Sequence, residues 1–417
     1  MFIAFGVEGR EIMKLIHSTK LRTKKSEQMI GAGCAKAVFL ILFLALITFS
    51  CQKDKTVVQE KLEAKKVTPK MEVKYATGFG VEYFEGYKLL HVFRPYRHKN
   101  DTVTYLLYPR GTEKPVGFEG VPSIQTPAKR IITLYSPHVA QVDFVNETSA
   151  LVGISSAKYL VNEKVRKMIA EGKIAEVNNS GSLNAEIVLS LEADFIMASG
   201  TSSSEFDHFE NIMQNGTPVV YQSGWMESSM LARAEWVKMV AALFDKEELA
   251  NQKFDKIEKK YKDLVALAAD VDYRPKVISG LPFKGVWYVG AGNTYAGKLL
   301  KDAGADWPWA SDTSGVSLRL DIEAVYPHGL EADYWINIGY MGSKKEAMDV
   351  DSRFAEFKPV KNGNLYNNRK RISPYNEGND YWESGTLNPH LVLSDMIKIF
   401  HPELLPDYEL YYYKKLQ

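Results

Sequence analysis

The chain has 417 residues, of which 45% are hydrophobic and 25% charged, a balance typical of a globular protein with enough apolar content for two cores. Its formal net charge of +1 gives no broad basic field for nucleic acid and no acidic bias for a cationic partner. The two cysteines, Cys34 and Cys51, lie close to the N-terminus, which excludes disulfide frameworks, thiolate zinc sites and cysteine nucleophiles from the rest of the chain.

The first fifty residues are typical of an export signal. A basic stretch precedes an apolar run over 37–49, which is shorter than the roughly 20 residues of a membrane-spanning helix but fits a signal peptide. The run ends in TFSC at 48–51, which resembles the lipobox of bacterial lipoproteins. We therefore predict a signal peptide over 1–50 and lipidation of Cys51, with an uncleaved N-terminal anchor as the alternative. Either reading places the body outside the cytoplasm on a membrane tether.

The segment over 51–70 is charged and poor in aromatic residues, which predicts a solvated tether. The composition then changes over 71–127, where β-branched and aromatic residues alternate with Gly, Pro and Asn-Asp pairs. The stretches FGVEYFEGYKLLHVF and TVTYLLYPRG predict two or three antiparallel strands in a small, β-rich N-terminal extension.

Strands alternate with helices over 128–227, which predicts a first α/β lobe with a parallel sheet. Its predicted elements are strands at 130–135, 150–155, 194–199 and 218–222, and a helix at 184–191. A helical segment follows over 228–272, and an apolar stripe beside lysines and glutamates predicts one long connecting helix over 247–269.

A second strand–helix series over 273–417 predicts a second α/β lobe. Its predicted elements are strands at 276–281, 285–290, 333–339 and 364–368, and helices at 294–304 and 387–400. The predicted fold class is therefore α/β, with two lobes containing parallel-type sheets joined by one long helix, plus the N-terminal extension.

Eight stretches of the chain, which follow one another in the same order as in a known family, carry a resemblance to that family. The strongest is LNAEIVLSLEADFIMASG, and the others lie at 130–138, 151–155, 215–222, 288–305, 320–339, 360–367 and 401–404. Over about 129–403 the chain resembles the periplasmic binding proteins of iron–siderophore, haem and cobalamin ABC importers. The resemblance implies a cleft between two lobes that opens only slightly, a small-molecule ligand, and an ABC importer permease as partner. The extension over 71–127 is not part of the family core.

The resemblance also implies one glutamate on each lobe that meets arginines of the permease, and Glu186 and Glu323 match these positions. The longer spacing that follows Glu323 departs from the family pattern and weakens that second assignment. The alternative for both residues is an ordinary solvated carboxylate near a helix start, where negative charge is favourable.

Ligand-binding candidates follow the carboxyl ends of the predicted strands, where clefts of such folds lie. Flat rings stack on catecholate, corrin or porphyrin surfaces, and arginines pair with the acidic groups of ferric siderophores. His138 could ligate haem iron, with a hydrogen-bonded loop residue as the alternative. The candidate residues are Tyr135, His138, Trp225, Tyr295, Trp309, Arg319, Arg353 and Trp382. No histidine–carboxylate spacing predicts a metal site of its own.

An enzyme is a poorer interpretation. The stretch NSGSL lacks the glycine spacing of a nucleophile elbow, and YVGAGNTYAG lacks the Lys-Ser/Thr that follows a phosphate-binding loop. We therefore predict a monomeric, non-enzymatic substrate-binding lipoprotein of the periplasm, without a resident cofactor, that binds an iron chelate and no nucleic acid. Cobalamin or haem is the alternative ligand in the same fold. A surface lipoprotein that acts as an interaction module is the alternative from another class.

Overall fold

The computed structural model describes residues 65–96, 101–179, 182–200 and 203–417. The predicted signal peptide and Cys51 lie outside these residues. No helix within the described ranges combines the length and apolar character needed to cross a membrane.

The N-terminal extension forms a four-stranded sheet. Its strands are β1 (Phe79–Phe84), β2 (Tyr87–Phe93), β3 (Thr102–Pro109) and β4 (Ser123–Thr126). The first three pair antiparallel, as expected, but β4 runs parallel to β3, which the sequence did not predict. The reason is that β4 is a four-residue strand with alternate polar side chains, and a long connection lets it return in the direction of β3.

This sheet is packed onto the first lobe. Leu90, Tyr105 and Ile124 belong to the same buried core as the strands of that lobe. The Lys88 ammonium, itself buried, contacts Asp245 at 2.6 Å and Glu247 at 2.8 Å, at the start of the connecting helix. Residues 65–70, which the sequence assigns to the tether, include a bridge to β1, where the Val67 N–H donates to the Tyr83 carbonyl at 2.9 Å.

Lobe 1 is a parallel sheet of the expected kind. Its strands are β5 (Ile131–Thr133), β6 (Leu151–Ile154), β7 (Ala175–Glu176), β8 (Asn178–Asn179), β9 (Ser182–Leu183), β10 (Phe195–Ala198) and β11 (Val219–Tyr221). Its helices are α1 (Ser136–Phe144), α2 (Glu163–Ala170), α3 (Ala185–Ser190) and α4 (Ser203–Gln214). The order β11-β10-β5-β6-β7 is parallel throughout, while β8 and β9 form a separate hairpin. Short apolar strands such as β10 are wholly buried because helices cover both faces of a parallel sheet.

The connecting segment contains three helices, α5 (Met230–Glu235), α6 (Val237–Leu243) and α7 (Glu247–Leu267). The long helix α7 matches the predicted range and, at a rise of 1.5 Å per residue, is about 31 Å long. Ala250 near its start packs in the core of lobe 1, and Tyr261 further along packs in the core of lobe 2. One rigid element therefore supplies side chains to both lobes.

Lobe 2 has a mixed sheet and a hairpin. Its strands are β12 (Val277–Ser279), β13 (Trp287–Gly290), β14 (Ser317–Leu320), β15 (Tyr334–Ile336), β16 (Leu365–Asn367) and β17 (Lys414–Lys415). Its helices are α8 (Tyr295–Asp302), α9 (Ile322–Glu331), α10 (Lys344–Val350), α11 (Lys358–Asn362), α12 (Asp380–Glu383) and α13 (Pro389–Phe400). Strands β12, β15 and β16 are parallel, and β17 joins them antiparallel. Strand β13 leaves this sheet and pairs antiparallel with β14, a strand that the sequence did not predict.

Candidate ligand site between the lobes

The loops at the carboxyl ends of the lobe 1 strands meet elements of lobe 2. After β11 the chain makes a 3₁₀ turn at Gly224–Met226 and then enters α5. Lobe 2 contributes the start of α8 and the short helix α12, which contacts α1 of lobe 1. Ligands of open α/β sheets bind outside the carboxyl ends of strands, so this junction is the candidate site.

Arg233 on α5 lies at the centre of the junction. Its guanidinium carbon is 3.4 Å from the ring centroid of Tyr295, the first residue of α8. Its Nε donates to the Glu227 carbonyl at 3.2 Å, and its Nη2 donates to the Trp225 carbonyl. Among the residues that the structure describes, no carboxylate forms an ion pair with this guanidinium. Arg233 is thus a partly buried cation whose partners are carbonyl groups and an aromatic ring.

The Glu227 carboxylate, which acts electrostatically on Arg233, already accepts hydrogen bonds from other groups. Glu227 accepts the backbone N–H groups of Thr77 at 2.9 Å and Gly78 at 2.8 Å, and the indole N–H of Trp236 at 3.0 Å. Burial lowers the pKa of Arg233, while Tyr295, Tyr381 and Glu227 raise it by smaller amounts. A guanidinium still keeps its proton near neutral pH, because its ordinary pKa is above about 12.

Aromatic rings from α12 form one side of the junction. Tyr381 is buried and packs edge-on against Trp382, with ring centroids 4.8 Å apart, and against Tyr413 at 5.6 Å. Trp382 is 45% exposed, so part of the indole face is available to a partner. Burial raises the pKa of the Tyr381 hydroxyl well above its ordinary value, which keeps this group neutral. The junction therefore combines one cation with several neutral rings.

The structure brings together some of the predicted residues and separates others. Trp225, Tyr295 and Trp382 lie around Arg233 and Tyr381. Tyr135 is the residue that immediately precedes helix α1, which contacts α12. Trp309, Arg319 and Arg353 instead make their contacts within lobe 2.

Each of these three residues makes contacts within lobe 2 that explain its position without a ligand. The Trp309 ring packs edge-on against His328 at 5.4 Å. Arg319 is exposed on β14 above the Tyr288 ring. Arg353 pairs with Asp351 at 2.8 Å and with Glu323 at 3.3 Å, and these two carboxylates raise its pKa. Their roles as ligand contacts stay predictions, and their positions do not support them.

His138 is only 2% exposed, and its Nδ1 lies 3.3 Å from the Met197 carbonyl oxygen. Burial lowers its pKa to about 4, so the ring is neutral near pH 7. This position favours the hydrogen-bonded alternative over a role as an iron ligand.

The two predicted docking glutamates are exposed in the first turns of helices on different lobes, Glu186 on α3 and Glu323 on α9. Within the described part of the chain, Glu186 has no ion-pair partner, whereas Glu323 lies 3.3 Å from Arg353. The placement fits the prediction for Glu186. Glu323 would have to exchange an intramolecular arginine for one of the permease.

Arg233 was not predicted from the sequence. It lies in the stretch MLARAEWVKMV, where a charged residue at the start of a helical segment is usually a solvated one. The available signal was its position among apolar residues close to the Trp225 loop. The pair Tyr381 and Trp382 lies in a candidate loop, but only Trp382 was predicted as a ligand contact, because nothing in the sequence decides which of two adjacent aromatic residues is buried.

The fold and this junction define a two-lobe binding protein of α/β architecture. Residues 131–371 match the model of the periplasmic binding protein family, and the chain belongs to that family. Two uncharacterized lipoproteins of Methanocaldococcus jannaschii are similar to it, both at 24% identity. One matches over 306 residues, 70% of each chain, and the other over 396 residues, 91% of this chain and 98% of its own.

Solved structures share the fold. A possible iron-binding, periplasmic solute-binding protein from Staphylococcus epidermidis is 17% identical, with a TM-score of 0.52 over 66% of this chain and 99% of its own. A periplasmic binding protein from Veillonella parvula is 12% identical, with a TM-score of 0.52 over 78% of this chain and 98% of its own. The family confirms the predicted two-lobe fold and the expectation that the protein is not an enzyme. Its members bind small ligands and work with ABC importer permeases.

Proposed function

We propose that this protein is a lipid-anchored, extracytoplasmic binding protein that captures an anionic, ring-bearing iron chelate between its lobes and delivers it to an ABC importer. The observation that carries the proposal is Arg233, a partly buried guanidinium that faces aromatic rings and has no carboxylate partner in the described residues.

A buried cation without an anion is costly, because desolvation is only partly offset by carbonyl groups and a ring. An acidic ligand group that pairs with Arg233 would remove this cost, and a guanidinium can hold two oxygens at once. The rings of Tyr295 and Trp382 offer stacking surfaces for catecholate groups. Charge and stacking together are the chemistry that a ferric tricatecholate requires.

Haem and cobalamin are the alternatives in the same site. Haem has carboxylates for Arg233 and a flat ring for the aromatic side chains, but the buried position of His138 gives no support to axial ligation by that residue. Cobalamin has a large ring whose peripheral side chains are neutral amides, and its single phosphodiester offers the guanidinium less negative charge than a ferric tricatecholate does. The iron chelate is therefore favoured over both.

The relatives support the cellular setting. Two of them are named lipoproteins, which agrees with lipidation at Cys51. The structural neighbour from Staphylococcus epidermidis is named as possibly binding iron, which agrees with an iron chelate as ligand. We place the protein in the periplasm on a lipid anchor, with display on the cell surface as the alternative.

Ligand titration tests the proposal. The full chain in detergent is titrated with a ferric tricatecholate, haemin and cyanocobalamin, and binding is followed by quenching of tryptophan fluorescence. We expect the ferric tricatecholate to bind most tightly. The Arg233→Gln variant should bind it at least tenfold more weakly, because a desolvated charge contact is lost. Arg233→Lys should retain part of the affinity, since the charge remains but the planar fork does not.

Arg319→Gln is the matched control, because it removes an exposed arginine of lobe 2. If Arg319→Gln weakens binding and Arg233→Gln does not, the site is wrongly placed. If none of the three ligands binds to the wild type, the alternative of a surface interaction module is favoured instead.

A further inference from the structure

A second contact joins the lobes beside the Arg233 junction. The segment over 373–385 of lobe 2, here called the strap, lies against the loop over 157–162 that follows β6 in lobe 1. The strap begins just beyond the part of the chain that matches the family model, and it includes α12. It therefore connects the helix that carries Tyr381 and Trp382 to a loop at the carboxyl edge of the lobe 1 sheet.

Much of this contact is made to the backbone of lobe 1. The Asn376 side-chain amide donates to the carbonyls of Ala157 at 2.7 Å and Leu160 at 2.9 Å. The Glu377 N–H donates to the Lys158 carbonyl at 3.0 Å. Such contacts fix the path of the loop itself, whereas contacts between mobile side chains would leave the loop free to move.

Glu383 completes the contact from the end of α12. Its carboxylate accepts the N–H of Val161 at 2.6 Å and the N–H of Asn162 at 2.7 Å, one with each oxygen. The residue is only 3% exposed. Asn162 is also the residue that caps α2, because its side chain accepts the N–H of Val165 at 3.0 Å. One carboxylate of lobe 2 thus holds the two amides that lead into a helix of lobe 1.

The surroundings of Glu383 do not otherwise favour a carboxylate. Its charged neighbours are Asp380, which pairs with Arg371 at 2.6 Å, and Asp143, which accepts the Asn162 side-chain amide at 3.1 Å. The pKa of Glu383 is raised to about 7, because burial and, to a smaller extent, the two carboxylates raise it by more than the two backbone amides lower it. The backbone amides of Val161 and Asn162 are therefore the groups that stabilise the charged form of Glu383.

We propose that Asn376 and Glu383 are positioning residues that hold the loop over 157–162, at the carboxyl edge of the lobe 1 sheet, against the strap and so fix the spacing of the two lobes at the proposed binding site. The role in ligand binding rests on the proposed function, whereas the hold on the loop does not. The loop and α12 lie on opposite lobes, so releasing one from the other alters the separation of the lobes where Tyr381, Trp382 and Arg233 are proposed to contact a ligand.

The hold on the loop is tested without ligand, by hydrogen exchange of backbone amides in the full chain in detergent. In Glu383→Ala the amides of Val161 and Asn162 lose their acceptor, and we expect their exchange to accelerate at least tenfold while the core strands remain protected. Glu383→Gln keeps one carbonyl oxygen, so a smaller acceleration is expected. Asn376→Ala is the independent variant, which should loosen the loop if Glu383→Ala fails to fold.

Glu377→Gln is the matched control in the same strap. It removes an ion pair with Lys158 at 3.1 Å whose side chains are more than half exposed, so exchange at 161 and 162 should stay unchanged. Unchanged exchange in both Glu383→Ala and Asn376→Ala would overturn the proposal, because the loop would then be held by other contacts.

The role in binding is measured with the ferric tricatecholate. Glu383→Ala and Asn376→Ala should each weaken binding about tenfold, and Glu377→Gln should not. Accelerated exchange with unchanged affinity would overturn the role in binding. Accelerated exchange in a protein whose wild type binds none of the three probes would leave the hold on the loop established and would refute the proposed function instead.

Discussion

The two lobes contain similar parallel strands but differ in what stabilises them. The core of lobe 1 consists largely of aliphatic side chains and continues into the N-terminal sheet. One core of lobe 2 is built on Trp287, Trp335, Phe354 and Phe357, whose ring centroids lie 5.2 to 6.1 Å apart. The hydrophobic stabilisation of aliphatic side chains does not depend on their orientation, whereas aromatic packing and the hydrogen bonds of indole N–H groups do. Lobe 2 should therefore respond more sharply to the loss of single polar contacts.

The C-terminal segment shows this difference most clearly. The Asp395 carboxylate on α13 is fully buried and accepts the backbone N–H groups of Tyr411 at 2.7 Å, Tyr412 at 2.6 Å and Tyr413 at 2.9 Å. Burial raises its pKa, while these amides and the Tyr408 hydroxyl lower it. A single side chain thus holds the segment that leads into β17.

The largest expected effect comes from removing that carboxylate. Asp395→Ala leaves three amides without their acceptor, at about 1–3 kcal/mol each, so the free energy of unfolding should fall by at least about 3 kcal/mol. Urea unfolding measures the change, and hydrogen exchange should place it in lobe 2. Asp407→Ala, on the exposed segment after α13, should have little effect. A loss below about 1 kcal/mol for Asp395→Ala would contradict the proposed difference between the lobes.

A pH effect of intermediate size is expected in lobe 1. His138 has an ordinary pKa of 6.5 that burial lowers to about 4, so its neutral ring is favoured in the folded state. Its contribution is therefore fully present above pH 6.5 and is lost as the pH falls through 4. The full shift corresponds to about 3 kcal/mol of unfolding free energy. Urea unfolding between pH 7 and pH 4 measures it, and His138→Asn should flatten the profile.

The strap should respond to pH in the opposite direction. Because the pKa of Glu383 is raised from 4.5 to about 7, its contribution is fully present below pH 4.5 and is lost as the pH rises through 7. Between these values protonation of His138 lowers the free energy of unfolding, while protonation of Glu383 raises it. If His138→Asn and wild type show the same acid profile, the ring is not the titrating group.

The smallest effect is expected where the N-terminal sheet contacts lobe 1 through a buried hydroxyl group. Tyr105 on β3 donates to the Val219 carbonyl at 2.8 Å and is fully buried. Tyr105→Phe keeps the ring and removes this bond together with the one that the hydroxyl accepts from the Tyr221 N–H at 3.3 Å, which should cost about 1–2 kcal/mol. Thermal or urea unfolding measures the change, with Tyr108→Phe on the same strand as control. A loss comparable with that of Asp395→Ala would mean that lobe 1 depends on directional contacts as much as lobe 2.

Much of the fold could be predicted because its signals are local. The apolar strands of lobe 1 and the amphipathic helix α7 are set by patterns within one segment. Strands β4 and β14 were missed because each has four residues with polar or charged side chains at alternate positions, a pattern that also fits a loop. The departure of β13 from the main sheet depends on its partner β14, which lies about thirty residues away.

The site could be predicted only in part, for a related reason. Exposed aromatic residues beside strand ends indicated Trp225, Tyr295 and Trp382, and the structure places them at one junction. The sequence does not show which arginine lacks a carboxylate, since Arg353 and Glu323 are thirty residues apart and meet only in the fold. The domain boundaries and the ligand contacts themselves stay predictions.

Helix α7 has a consequence for how the molecule can be divided. Its first turns complete the interior of one lobe with Ala250, and its later turns complete the other with Tyr261 and Ala268. A cut within this helix would leave each half with an open interior, so neither lobe is a module that can be expressed or exchanged alone. Chimaeras with related proteins should therefore swap surface loops and carry the helix whole.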